Sequence, residues 1–139
     1  MVIVEERTDA ALAASDLVIT ASGTATVQAT LHERPMVVVY RVSPMTYRLG
    51  KPFLKVDTYA MPNLIAGERI VPELIQADFT PAAVAEQATA LLTDSARYAR
   101  MRDVLRRIRE RLGAPGASGR AAAAVLEVAT GARAGATPA

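Results

Sequence analysis

The residues best suited to chemistry stand in an uncharged stretch, Leu17–Leu31, near the start of the chain. There Ser22, Gly23 and Thr24 follow a short apolar run and precede a helical pattern. Glycine can adopt a positive φ or let another group approach the backbone closely, and serine is a good N-cap. Because a helix N-terminus stabilises phosphate and other anions, this turn predicts an anion-binding site. The alternative is an ordinary β-turn-α unit, since the turn lacks the glycines of a dinucleotide fingerprint and the Gly-Lys-Ser/Thr of a P-loop.

The composition excludes several other kinds of site. The chain of 139 residues has no cysteine and a single histidine, His32. This leaves no disulfide, no thiolate nucleophile and no zinc site of the usual kind, and a Ser-His-Asp triad would need His32 itself. His32 falls near the end of the predicted helix after the turn, where we expect a solvated side chain. A net charge of +2 and 4% aromatic residues do not indicate nucleic acid as a partner.

Apolar runs predict the sheet that positions this turn. They lie at about residues 2–6, 17–21 and 36–40, and their lack of alternation is typical of strands covered on both faces. Helical patterns separate them, one through residue 14 capped by Thr8 or Asp9 and one over 24–33 capped by Ser22. Strands and helices at this spacing predict βαβ units and one parallel sheet, an α/β fold.

After residue 55 the sequence predicts one more strand and four helices. These are a strand at 56–61 with Pro62-Asn63 at its end, a short helix at 70–76 entered near Pro72, a helix from Thr80-Pro81 to about 93, a helix at 95–112 and a last helix at about 120–129. Residues 113–119 are rich in Gly, Ala and Pro and predict a linker, and we expect residues 131–139 to be disordered. We expect no signal peptide, and no apolar stretch reaches transmembrane length.

Two segments are basic and amphipathic, Arg41–Lys55 and Ser95–Leu112. The first predicts a helix packed on the sheet with its cations reaching solvent, or alternatively a surface that contacts anionic lipid or the acyl part of a substrate. In the second, seven arginines surround an apolar stripe, which indicates a solvated face on a core-packed helix. The stripe consists of Tyr98, Met101, Leu105, Ile108 and Leu112.

Five motifs in register resemble the lipid-A-disaccharide synthase family. They are Ser22-Gly23-Thr24-Ala25-Thr26-Val27-Gln28, Pro35-Met36-Val37-Val38-Val39-Tyr40-Arg41, Ser43-Pro44, Pro62-Asn63-Leu64-Ile65-Ala66-Gly67 and Pro72-Glu73-Leu74-Ile75-Gln76. The resemblance is close over roughly 10–76 and looser over the helical remainder. It implies a Rossmann-like parallel sheet with flanking helices, the partial C-terminal half of a GT-B glycosyltransferase. Residues 1–113 would be part of the UDP-sugar-binding domain, 114–130 a linker and C-terminal helix, and 131–139 the tail.

The resemblance also implies a reaction and its partners. The family transfers 2,3-diacylglucosamine from UDP to 2,3-diacylglucosamine 1-phosphate in lipid A biosynthesis, with no metal ion or organic cofactor. It implies a cytoplasmic enzyme, peripheral on the inner membrane, with an anionic membrane surface as a possible partner. The implied UDP-sugar-binding residues are Ser22, Gly23 and Thr24 at the diphosphate, Gln28 at the ribose, Tyr40 and Arg41 on the cleft side of the third strand, and Asn63 near the sugar or diphosphate.

One position departs from the family pattern, which has glutamate where this chain has Gln28. Glutamine keeps one acceptor oxygen but loses the charge. A hydrogen bond to a charged group is worth about 1.5 to 3 kcal/mol, against about 1 kcal/mol for a neutral pair, so we expect weaker UDP binding.

The resemblance covers only the C-terminal part of the family, and the acceptor-binding domain has no counterpart. We therefore interpret the chain as a fragment that does not catalyse the reaction by itself, and neither Asp57 nor Glu73 receives a catalytic role. The alternatives are a non-catalytic module that binds UDP or associates with membranes, and another UDP-sugar enzyme such as a different GT-B transferase or an epimerase. The motif Pro62–Gly67 favours the synthase over the last of these.

Overall fold

A parallel three-stranded sheet forms the centre of the fold in this computed structural model, which describes residues 2–43, 45, 58–113 and 116–130. The strands are β1 (Val18–Ala21), β2 (Met36–Tyr40) and β3 (Glu73–Ile75), in the order β1-β2-β3. The helices are α1 (Thr8–Ala14), α2 (Thr24–Leu31), α3 (Met61–Ala66), α4 (Pro81–Thr93), α5 (Ser95–Leu112) and α6 (Ala117–Ala129), and a 3₁₀ turn covers Gln76–Asp78. The predicted α/β class and parallel sheet are confirmed.

The central strand β2 carries the core of the sheet. Met36, Val37 and Val38 are all fully buried. Since successive side chains of a strand point to opposite faces, both faces of β2 are covered. Helices α2 and α4 both contact this strand, and α5 packs against α2, α3 and α4. The apolar stripe of α5 supplies Met101, Leu105 and Ile108 to the interior, as its periodicity predicts.

Strand β1 is covered less completely than its apolar run predicts. Its burial alternates, and Ile19 is 51% exposed. In the described part of the chain β1 pairs only with β2, which makes it an edge strand of the sheet. The prediction of cover on both faces is therefore wrong for β1, because edge strands lack the neighbours that would complete the cover.

The predicted strand at 2–6 is also wrong. Residues 2–5 have no regular structure, and Val2, Ile3 and Val4 are 86%, 75% and 53% exposed. A β-branched run favours extended backbone, but a strand also needs a partner ladder, and the described sheet has none beside these residues. Helix α1 begins at Thr8, so neither Thr8 nor Asp9 is its N-cap; that position belongs to Arg7.

Strand β3 replaces the short helix predicted at 70–76. Pro72 suits the first turn of a helix, but it equally suits the start of an edge strand, where no N–H is needed. The carbonyl oxygen of Pro72 accepts a hydrogen bond from the N–H of Val38 at 2.9 Å, and Leu74 is buried. Pairing with β2 therefore outweighs the local helical pattern.

The strand predicted at 56–61 is wrong for its described part. Residues 58–60 have no regular structure, and Met61 begins α3, with Pro62 in its first turn. Proline at a helix start has a φ that suits the helix and lacks an N–H that would be unpaired there, which favours the helix. Gly67 ends α3 with a φ of +76°. Residues 56 and 57 lie outside the described residues.

The helices of the second half follow their sequence signals. The side chain of Thr80 caps α4 by accepting a hydrogen bond from the N–H of Ala83, and α5 has the bounds predicted for it. Helix α6 begins three residues earlier than predicted, at Ala117, and buries none of its residues. Within the described ranges, no helix is long and apolar enough to cross a membrane. The predicted tail at 131–139 lies outside them.

Candidate functional site

The carboxyl ends of the three strands meet at one edge of the sheet. In the register of the parallel ladders, Ala21 pairs with Val39, and Tyr40 pairs with Ile75. The residues that follow each strand, including Ser22, Arg41 and Gln76, therefore lie at this edge. Ligand sites of open α/β sheets occur at the carboxyl ends of strands, so the topology assembles a candidate site there.

Gly23 makes the turn that opens this site. It has a φ of +147° and a ψ of −158°, a conformation that other residues rarely adopt, and it is the N-cap of α2. Its carbonyl oxygen accepts hydrogen bonds from the N–H of Thr26 at 3.1 Å and from the hydroxyl of Thr26 at 2.6 Å. Among the described residues, the N–H groups of Thr24 and Ala25 have no acceptor. The turn thus presents free donors at a helix N-terminus.

The sequence predicts Ser22 as the N-cap of α2, and this prediction is wrong. The N-cap position is one residue later, and α2 has no side-chain cap. The Ser22 hydroxyl instead donates to the carbonyl oxygen of Tyr59 at 2.8 Å, 37 residues along the chain. Its single proton is used in this bond, so towards a ligand the side chain can only accept.

Thr24 and Gln28 are exposed residues of α2. They are four residues apart, so they lie on the same face of the helix, one turn from each other. Gln28 is therefore placed next to the free donors of the turn. A group that extends from an anion bound at the turn along α2 would reach Gln28.

Arg41 is fixed to the 3₁₀ turn that follows β3. Its guanidinium donates to the carbonyl oxygens of Gln76 and Phe79 and lies 5.1 Å from the centroid of the Phe79 ring. Tyr40, just before it, is 39% exposed at the end of β2. Tyr40 and Arg41 therefore lie at the carboxyl end of β2, as expected, and the carbonyl oxygens of Gln76 and Phe79 fix the position of Arg41.

Gln76 makes a second link between the ends of β2 and β3. Its side-chain oxygen accepts from the N–H of Val42 at 2.8 Å, and its side-chain amide donates to the Val42 carbonyl oxygen at 3.2 Å. The backbone of Gln76 has a φ of +54°, which is uncommon for a residue other than glycine. This pair of bonds fixes where the chain leaves β2.

Asn63 is fully buried, and its amide is saturated by the protein. Its oxygen accepts from the N–H groups of Ile70 and Val71 at 2.8 and 2.9 Å. Its nitrogen donates to the Val71 carbonyl oxygen at 3.0 Å and to Glu73 Oε1 at 2.7 Å. All four hydrogen-bonding positions of the amide are thus used to hold the segment that leads into β3.

Glu73 is the centre of this polar cluster. Its half-buried carboxylate accepts from the N–H of Tyr59 at 2.9 Å, the N–H of Ala60 at 2.9 Å, the hydroxyl of Thr58 and the amide of Asn63. Burial alone would raise the pKa of Glu73, but the hydrogen bonds from these four residues together hold it below its ordinary value. The carboxylate therefore stays ionised, stabilised by neutral donors that converge on it.

Sequence reasoning gave Glu73 no role, and it missed Tyr59 and Gln76. The one local signal was a carboxylate within the apolar run Val71–Ile75, since an acidic residue is rarely buried without partners. Its partners lie 10 to 15 residues earlier, so the pattern of β3 itself could not identify them.

The other predicted features lie away from this edge. His32 follows the last residue of α2, and its ring is 29% exposed and 3.2 Å from the carboxylate of Asp9, so it is less solvated than predicted. Arg109 of α5 pairs with Glu33 at 2.7 Å. Asp57 and most of the segment 41–55 lie outside the described residues.

Comparisons with known proteins agree with one another. The model of a family described as lipid-A-disaccharide synthetase matches residues 1–128. Curated proteins named lipid-A-disaccharide synthase are 45% identical over 127 residues in Myxococcus xanthus, 43% over 129 in Azotobacter vinelandii and 40% over 126 in Geobacter sulfurreducens. These matches cover 91%, 93% and 91% of this chain but 33% of each relative. The chain thus spans about a third of the length of the curated relatives it matches.

Proposed function

This chain belongs to the lipid-A-disaccharide synthetase family, and from that premise we propose that it forms the UDP-sugar-binding part of a lipid-A-disaccharide synthase. The observation that carries the proposal is the turn at Gly23. It combines a glycine at positive φ, free N–H groups on Thr24 and Ala25, and the N-terminus of α2. A diphosphate matches this arrangement in charge and in the number of acceptors it offers.

We assign the parts of a UDP-sugar to residues around this turn. The diphosphate binds over the backbone of Gly23 and Thr24, and the ribose extends along α2 to Gln28. Tyr40 and Arg41 line the adjacent edge at the end of β2. Ser22 and Asn63 contribute through the hydrogen bonds that fix the turn and the segment before β3, since the Ser22 proton and the Asn63 amide are already engaged.

The proposed reaction joins two lipid substrates, UDP-2,3-diacylglucosamine and 2,3-diacylglucosamine 1-phosphate, and releases UDP. Transfer needs an acceptor hydroxyl held in line with the anomeric carbon and a base to take its proton. We place the acceptor site and that base on the part of the enzyme that this chain does not cover, and residues 1–113 in the donor domain. We assign residues 114–130 to a linker and a C-terminal helix that follow the donor domain.

Because the acceptor site and the base would lie outside this chain, we expect the chain alone not to catalyse the reaction. Purified chain mixed with both lipid substrates should release no UDP above the enzyme-free rate, although it binds UDP. Disaccharide formed by the 139-residue chain would overturn this assignment of the catalytic groups.

We also propose that the enzyme works as a peripheral protein on the cytoplasmic face of the inner membrane. The proposal is supported by the lipid nature of its substrates and by the basic sequence Arg41–Lys55. Each Lys or Arg near an anionic leaflet contributes about 1 kcal/mol of attraction. Replacing Arg48, Lys51 and Lys55 with Gln should reduce flotation with anionic vesicles, and unchanged flotation would show that this stretch is only a solvated surface.

Calorimetric titration with UDP tests the donor site. Gly23→Ala should abolish detectable binding, because a Cβ finds open space there but the φ of +147° is strained for alanine. Gly113→Ala is a matched control: Gly113 also has positive φ and open space, and it lies at the end of α5. Equal loss of UDP binding in both variants would indicate general destabilisation and contradict a site at the turn.

A further inference from the structure

The Glu73 carboxylate is held by more donors than the pairing of β3 requires. Strand β3 is already fixed by its ladder to β2 and by the buried side chain of Leu74. The carboxylate in addition receives donors from Thr58, Tyr59 and Ala60, a segment with no regular structure. Such a segment lacks ladder partners of its own, so Glu73 determines how its peptide groups are oriented.

The peptide unit that joins Tyr59 to Ala60 reaches the turn at Gly23. Its N–H, which belongs to Ala60, donates to Glu73 Oε1 at 2.9 Å, and its carbonyl oxygen, which belongs to Tyr59, accepts the hydroxyl proton of Ser22 at 2.8 Å. Ser22 is the residue immediately before Gly23. A continuous series of hydrogen bonds therefore joins Glu73, Tyr59 and Ser22 to the backbone that carries the free donors.

Among the described residues, no group closer in sequence forms a hydrogen bond with the Ser22 hydroxyl. Within the part of the chain that the structure describes, the Tyr59 carbonyl oxygen is the only partner of that hydroxyl, and α2 begins without a side-chain cap. The geometry of the turn thus depends on a contact made from 37 residues away. That contact in turn depends on the carboxylate that orients residues 58–60.

We propose that Glu73 is a positioning residue for the diphosphate-binding turn, acting through the peptide unit between Tyr59 and Ala60 and the hydroxyl of Ser22. The inference rests on the proposed function, because it assigns the effect to UDP binding at that turn. Glu73 touches neither the nucleotide nor the sugar. Its effect is on the placement of the free N–H groups of Thr24 and Ala25.

Two variants separate this role from a structural one. Glu73→Gln keeps the size of the side chain, but it puts an amide donor where Oε2 accepts the Tyr59 N–H at 2.9 Å, which leaves that N–H only its 3.2 Å contact with Oε1. It also removes the negative charge towards which the donors of Thr58, Ala60 and Asn63 point. Ser22→Ala removes the last hydrogen bond of the series and leaves Glu73 intact. Glu86→Gln is the control, because it makes the same chemical change at an exposed position on α4.

The first readout is the amide spectrum without ligand. Glu73→Gln should shift the resonances of Gly23 and Thr24 in addition to those of residues 58–60, whereas Glu86→Gln should shift neither group. Shifts confined to residues 58–63 would overturn the proposal, because the change would then stop before the turn. This readout holds even if UDP fails to bind, a result that would contradict the proposed function alone.

The second readout is the Kd for UDP. Glu73→Gln and Ser22→Ala should each weaken binding by about tenfold, and the double variant should be no weaker than either single one, since both break the same series. Additive losses in the double variant would show that the two residues act independently and would overturn the proposal. So would an unchanged Kd in Glu73→Gln when the unaltered chain binds UDP.

Discussion

The cluster around Glu73 and the arginine-rich helix α5 differ in how their charged groups are exposed and partnered. At Glu73 a single half-buried carboxylate receives hydrogen bonds from four residues. On α5 six of the seven arginines are exposed, and ion pairs such as that of Arg107 with Asp103 at 2.8 Å lie at the surface. The exposed charges of α5 therefore need no full set of partners, whereas the half-buried carboxylate of Glu73 is stable as an ion only with the donors that surround it.

Charged residues surround the buried stripe of α5. At 3.6 residues per turn, the arginines lie on the two flanks of the buried stripe, while Asp103 and Glu110 lie opposite the stripe. Asp103 is paired with both Arg106 and Arg107, so charges of both signs alternate on this surface. That mixture favours a solvated face over a lipid-binding one.

The largest expected effect is at Glu73. Glu73→Ala should lower the free energy of unfolding by about 3 kcal/mol, because it leaves the donors of Tyr59, Ala60 and Asn63 without their acceptor. Urea unfolding measures the change. Glu86→Ala, at an exposed position of α4, should alter the free energy of unfolding by about 0.5 kcal/mol or less. Equal losses in the two variants would show that the Glu73 carboxylate contributes no more than an exposed one.

Acid should weaken the same cluster. The pKa of Glu73 is lowered in the folded state, so the unfolded chain binds more protons than the folded one as the pH falls. The stability that Glu73 contributes is therefore present above its ordinary value of 4.5 and is lost as the pH falls through the lower folded value. Urea unfolding at a series of pH values from 7 downwards should show a shallower decline in Glu73→Gln. Parallel declines in the two proteins would contradict the role given to this carboxylate.

Gln28 is an exposed position where an added charge is expected to matter, because a ligand would cover it. Gln28→Glu should tighten UDP binding by about fivefold, since a ribose hydroxyl would then donate to a carboxylate instead of a neutral amide. Titration of both proteins with UDP measures the ratio. Equal affinities would place the ribose elsewhere.

Arg107 should show the smallest effect. Arg107→Gln removes one exposed ion pair, and Asp103 keeps Arg106 as a partner, so the free energy of unfolding should change by less than about 0.5 kcal/mol. A loss comparable to that of Glu73→Ala would mean that the surface network of α5 contributes as much as the buried cluster.

The parts of the fold that the sequence predicts are those with local causes. Strand β2, the cap of α4 at Thr80 and the stripe of α5 follow from short patterns, and all three are present as predicted. Strand β3 was mistaken for a helix because Pro72 suits both structures, and pairing with β2 decides between them. Local pattern likewise could not show that Ser22 would bond to Tyr59 instead of capping α2.

The candidate site likewise has parts that local sequence predicts and parts that depend on contacts between distant residues. Gly23 and its free donors were predictable, because the turn, the glycine and the helix start are adjacent in sequence. The saturation of Asn63 and the role of Glu73 depend on contacts that only the folded chain brings together.

A diphosphate site at the turn is tested most directly by amide NMR during a UDP titration. The resonances of Gly23 and Thr24 should move first and farthest, with Gln28 following, while those of the arginines on α5 stay in place. Inorganic phosphate at the same concentrations should move the resonances of the turn but not that of Gln28. Changes confined to α5 would contradict a diphosphate site at the turn, because they would show nonspecific attraction of an anion to a basic helix.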